Sequence, residues 1–217
     1  MNTPIDLKEI ERKAFRSTYQ DGLWDIYYGL IVIAMSVFVY RPPEGYSPKN
    51  IILMVVLFAL GYGLFWSGKK FITLPRMGKV TFGAIRKKKR GTMMIILGIF
   101  IIFQLVLLAA TAFGWFDPKA SQLLNKFLPN GDGGLLIVSL IGSLILGISM
   151  VVIFYFTDFP RGYYIALMMS LAVFLMIFLN QPIYPILIGV LIILPGLVLF
   201  TRFLKRYPLD RQEPSNE

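Results

Sequence analysis

The sequence predicts an all-α integral membrane protein, a bundle of six transmembrane helices with a short cytoplasmic β-hairpin between helices 2 and 3. Three observations predict it. Hydrophobic residues make up 56% of the 217 residues and charged residues 16%, with a mean hydropathy of +0.67, so most of the chain resists solvation and a polytopic membrane class fits. Six apolar runs, at 23–40, 51–66, 92–115, 135–156, 163–180 and 186–203, each approach the roughly 20 residues that cross the hydrocarbon. Between the second and third runs lies a polar, basic stretch at 69–90, KKFITLPRMGKVTFGAIRKKKR.

That stretch sets the sidedness. It holds nine of the 22 Lys and Arg, and short basic loops stay in the cytoplasm. Inside it, residues 71–74 and 79–82 have β-type composition, while Pro75 is preset for a turn and Gly78 is free to take φ > 0. A hairpin lying under the membrane follows from this. The run Arg86, Lys87, Lys88, Lys89 and Arg90 is placed to contact anionic lipid headgroups, at about 1 kcal/mol per residue near the surface. A topology signal with no ligand is the plainer reading of the same run.

Before the first span, residues 1–22 form an arm. Thr3, Pro4 and Asp6 read as N-cap, first helical proline and first-turn acid. A helix from there to about residue 19 sets Leu7, Ile10, Ala14 and Phe15 on one stripe, which suits an amphipathic helix in the cytoplasmic interface. The first two spans are short, so Trp24, Tyr27, Tyr28, Tyr62 and Trp66 belong at headgroup level. RPPEGYSPKN makes a tight outer link. In the outer interfacial loop at 116–134, Asp117 and Pro118 open a short helix carrying Leu123, Leu124, Phe127 and Leu128, ended by PNGDGG. A lid over an outward cavity is the sharper alternative for that helix. Pro195 falls within the sixth span, where it should bend the helix or free a carbonyl near Leu191. Residues 204–217 form a cytoplasmic polar tail.

Six crossings put both termini on one side, and the cations agree. Eighteen Lys and Arg fall in the arm, the central loop, the 4–5 loop and the tail, against four in the opposite loops. The expectation is a multi-pass plasma-membrane protein with both termini cytoplasmic. An offset of 133 residues maps Asp25 onto Asp158, Gly29 onto Gly162, Gly63 onto Gly196 and Pro75 onto Pro208, which suggests parallel copies of a hairpin. Small residues recur every fourth position in Ala59, Gly63, Ser67; in Ser139, Ser143, Gly147; and in Gly162, Ala166, Ser170. Such stripes let helix backbones approach, within a bundle or across an oligomer seam.

The chain has no Cys and no His, which removes disulfides, thiolate nucleophiles, iron–sulfur clusters and the usual zinc and haem ligands. No metal or cofactor is expected. Phosphate-binding GxxxxGK[ST] and GxGxxG fingerprints are missing. The formal charge of +10 lies in short loops beside apolar runs, so it argues for membrane sidedness and against nucleic acid.

None of the twelve acids falls in the middle of an apolar run, which counts against a proton-coupled transporter. The candidate polar site is Asp25, Asp158 and Arg161 at the cytoplasmic border, with Gln104 as the one mid-span amide. Two acids brought together there could share a proton or hold a cation; alternatively each caps its own helix N-terminus. The leading functional expectation is a non-catalytic membrane subunit or lipid-interacting scaffold, its partners being the bilayer, anionic headgroups and a second copy or partner subunit. A facilitator or channel for a small neutral or lipid-like solute is the alternative. A lipid-modifying enzyme at the cytoplasmic border comes third.

Overall fold

The computed structural model describes residues 19–38, 48–77, 84–112 and 133–208. Six helices make up the described chain: α1 (Leu23–Met35), α2 (Pro48–Ser67), α3 (Ala84–Ala112), α4 (Gly133–Phe156), α5 (Gly162–Leu179) and α6 (Ile183–Arg206). A 3-10 turn, Ser36–Phe38, prolongs α1. Past Ser67, α2 runs on through π-helical turns, Gly68–Thr73, into a last α-helical turn, Leu74–Met77. Four helices are long and apolar enough to cross a membrane: α2 with its extension, α4, α5 and α6. The 13 residues of α1 reach only about 20 Å at the α-helical rise, short of a hydrocarbon core of about 30 Å.

The predicted hairpin is not present in the described residues. Residues 71–74, expected as its first strand, are helical, and Leu74 donates its N–H to the carbonyl of Lys69, five residues back, as a π-helix requires. Four residues of β-type composition are too few to settle the conformation. Tertiary bonds from Lys69 and Thr73 to Asp21 decide it instead. The expected second strand, at 79–82, lies outside the described residues, as do the arm helix at 1–18 and the outer helix at 117–128. The basic run at 86–90, expected as loop, forms the opening turns of α3.

The core belongs to α1, α4, α5 and α6. Val32, Phe154, Phe159, Ile165, Met169 and Ile192 are all at most 1% exposed. The most extensive packing is between α1 and α6 and between α4 and α5; α2 flanks α1, and α3 flanks α4. Because lipid tails are as apolar as leucine, such helices must be held by close packing and polar contacts.

Close packing is supplied by glycine. A Cβ on Gly29 would lie 2.7 Å from the Gly189 carbonyl, and one on Gly189 would lie 2.7 Å from the Gly29 carbonyl. One heptad away, Gly22, at φ 74°, and Gly196 meet in the same reciprocal way. The two antiparallel backbones of α1 and α6 are therefore in direct contact at both points. Between α4 and α5, Ser139, Ser143, Gly162 and Ala166 are buried, Gly147 abuts Ser170, and the Ser170 hydroxyl donates to the Ser143 carbonyl at 2.8 Å. Two of the predicted small-residue stripes thus form one hairpin interface. The third points outward: Ala59, Gly63 and Ser67 are exposed, and nothing lies within 4 Å of a Cβ on Gly63.

Positions equated by the 133-residue offset have unlike surroundings. Gly29 packs on Gly189 while Gly162 packs on the Phe154 ring, and Gly63 is open while Gly196 packs on Asp25. Pro195 lies inside α6 as expected, and the carbonyl it deprives of a donor, that of Leu191, accepts the Tyr164 hydroxyl from α5 at 3.4 Å.

Overpacking of a filled interface costs about 1–3 kcal/mol or more. Gly29→Ala and Gly189→Ala are each expected to lower the unfolding free energy in detergent by that amount, whereas Gly63→Ala should stay within about 0.5 kcal/mol of the parent. Equal effects at all three positions would contradict the glycine seam.

Candidate functional site: a polar layer at one end of the bundle

Before α1 the chain reads Tyr19-Gln20-Asp21-Gly22, and Gly22 takes the left-handed conformation that turns it into the helix. This leaves Asp21 fully buried. Its Oδ1 accepts the Leu23 N–H at 3.3 Å, while Oδ2 accepts Lys69 Nζ and Thr73 Oγ1, each at 2.7 Å. Both donors come from the π-helical turn, whose wider winding carries residues 69 and 73 to the same acid. A buried carboxylate without such partners would be strongly disfavoured.

One turn further, Asp25 is 3% exposed and lies 3.4 Å from Arg161 Nη1. The same guanidinium donates through Nη2 to the Tyr19 carbonyl and sits over the Phe159 ring, 5.4 Å from its centroid. Arg161 immediately precedes α5, so it ties the start of α1 to the α4–α5 turn. In that turn Asp158, at φ 50°, adopts the left-handed conformation that closes α4, and its Oδ2 accepts Lys89 Nζ from α3 at 3.1 Å. Asp158 therefore serves the end of α4, and the start of α5 has no side-chain cap.

Aromatic rings wall this layer. Tyr19 stacks on Phe159 at 4.9 Å, Trp24 meets Phe65 at 4.5 Å, and Tyr28 meets Phe154 edge-on at 5.3 Å. The rings shield the pairs from water and so strengthen them.

Of the four residues marked from sequence, Asp25 and Arg161 come together, and Asp158 stands in the same turn as Arg161 but pairs with Lys89. Asp25 and Asp158 each engage a different cation rather than each other. Gln104 lies apart, its Nε2 donating to Ser149 Oγ at 3.5 Å across the α3–α4 interface. Within the basic run, Lys89 is turned into the bundle, and Lys88 and Arg90 are exposed; the side chains of Arg86 and Lys87 lie outside the description.

Asp21, Lys69 and Thr73 escaped the sequence reading. The Asp-Gly before the first apolar run was the available signal, but nothing marks a partner 48 residues away. At the same end, a cleft of about 520 Å³ opens between the α4–α5 turn, Tyr19 and the last turns of α6, where Arg161, Arg202 and Arg206 line it.

Among the described residues, every Lys and Arg except Lys49 belongs to this end of the bundle. The described residues hold no cluster of three or more metal-ligating side chains. The chain matches no protein-family model, no curated protein and no solved structure.

Removing one member of a buried ion pair costs about 3–5 kcal/mol, because the other charge is left uncompensated. Lys69→Met is expected to destabilise by about that much. Adding Asp21→Asn to it removes the stranded charge while keeping an acceptor for Thr73 and Leu23, so the double variant should unfold at a higher midpoint than Lys69→Met alone. A double variant no more stable than the single one would contradict the buried pair.

Proposed function

We propose that the chain is a non-catalytic, lipid-interacting scaffold or subunit of the plasma membrane, crossing six times with both termini in the cytoplasm. One observation carries this reading: each of the three described acids, Asp21, Asp25 and Asp158, is in an ion pair with a cation from a different segment of the chain. Acids engaged in this way tie helices together across the bundle.

The sidedness follows from the same end. Lys69, Lys70, Lys88, Lys89, Arg161, Arg202 and Arg206 gather there, while Lys49 begins α2 at the other, and cationic ends are retained in the cytoplasm. In this arrangement α1 and the 3-10 turn after it form the core of the first crossing, too short to span alone and shielded from lipid by α2, α5 and α6. The outer faces suit lipid: Ile52, Leu64, Ile95 and Leu167 are each more than 60% exposed, and a soluble surface rarely carries so much contiguous apolar area.

Because the sequence has no Cys, single engineered thiols report sidedness cleanly. Asn50→Cys should react with a membrane-impermeant maleimide on intact cells, and Lys205→Cys only after permeabilisation. Purified protein in vesicles containing anionic phospholipid is expected to conduct no glycerol or urea and to leave the lipid chemically unchanged. Rapid solute equilibration would instead support a facilitator, and new lipid products an enzyme.

A further inference from the structure

Among the described residues, the charges at the polar end do not balance. Asp21, Asp25 and Asp158 are the acids among the described residues, and they pair with Lys69, Arg161 and Lys89. Arg202 and Arg206, four residues apart on the last turns of α6, are exposed and line the cleft beside Arg161. Among the described residues, no carboxylate is left to pair with them. Asp158, held by Lys89, and Arg161, held by Asp25, also line this cleft of about 520 Å³, a volume ordinary for a small-ligand site, so the charge there without a described counter-ion is that of Arg202 and Arg206, and it attracts an anion. The planar fork of arginine suits phosphate oxygens in particular.

The cleft also has an apolar wall. Leu199, Phe203 and Phe159 line it, and just before them on α6 Leu194, Leu197 and Val198 are 45–52% exposed on the membrane-facing surface. Tyr19 and Tyr207, which also line it, are the amphipathic ring type found at headgroup depth. A ligand that is anionic at one end and apolar at the other fits both surfaces.

We propose that this cleft binds the phosphate of an anionic membrane lipid, with Arg202 and Arg206 as the principal contacts and the lipid's chains lying along the outer face of α6. The inference rests on the lipid-interacting reading above and narrows it to one site and one headgroup chemistry.

The test is calorimetric titration of the full chain in nonionic detergent with short-chain phosphatidylglycerol, short-chain phosphatidylcholine and inorganic phosphate. Phosphatidylglycerol should bind saturably, and Arg202→Gln with Arg206→Gln should weaken it by about tenfold or more. Lys205→Gln, a cation of the same turn that does not line the cleft, should change it by less than about twofold. Arg202→Lys with Arg206→Lys keeps the charges but loses the forks and should fall between, which preserves the test if the glutamine pair folds poorly.

Inorganic phosphate binding as tightly as phosphatidylglycerol would uphold a phosphate site and assign it to a soluble ligand. Phosphatidylcholine binding as tightly as phosphatidylglycerol would overturn the proposal, as would equal losses from Lys205→Gln and the arginine pair. Solute flux through vesicles would sink the scaffold reading without touching this cleft. Phosphatidylglycerol binding that ignores the arginine pair would sink the cleft and leave the scaffold reading standing.

Discussion

Two carboxylates buried at the start of α1 impose the constraint on which the rest of this structure depends. An uncompensated charge in a dehydrated site is costly enough that Asp21 and Asp25 must each find a cation, and Asp21 finds further donors as well. Local chain cannot supply them. Asp21 draws Lys69 and Thr73 from the end of α2, and Asp25 draws Arg161 from the turn before α5. That turn, through Asp158, draws Lys89 from α3. The π-helical winding after Ser67, the left-handed residues at Gly22 and Asp158, and the position of the α4–α5 turn are all consistent with meeting this demand.

Away from the polar end, packing takes over from charge. In lipid, apolar side chains gain nothing by leaving the surrounding tails, so van der Waals contact and backbone hydrogen bonds must distinguish one helix pair from another. The Gly22–Gly196 and Gly29–Gly189 contacts bring α1 and α6 to backbone distance. The Ser143 and Leu191 carbonyls, each accepting a hydroxyl from α5, add polar ties on either side. The outer helices α2 and α3 share less of this packing, and their Ile, Leu and Val side chains are largely exposed.

Much of this was legible from the residues alone. Long apolar runs locate α4, α5 and α6 to within three residues at every end, because hydrophobic length is a property of the local sequence. The stripes through Ser139 and Gly162 marked faces for close packing without saying that they pack on each other, and Pro195 foretold a freed carbonyl at Leu191. The hairpin at 71–82 was misread in its first half because Lys69 and Thr73 are recruited by a distant acid, and local β propensity cannot report that. Asp21 stayed hidden for the same reason: its partners are defined only once α1 and α2 lie side by side. Arg202 and Arg206, counted as topology signals, acquire a second meaning only when the α4–α5 turn closes a cleft beside them.

The most direct measurement is a double-mutant cycle across Asp25 and Arg161, using Asp25→Asn, Arg161→Gln and their combination, read as unfolding free energy in detergent. A coupling energy above about 1 kcal/mol is expected if the pair joins α1 to the α4–α5 turn. Additive effects, within about 0.3–0.5 kcal/mol, would show that the two side chains do not depend on each other and would contradict the polar layer as the organising constraint.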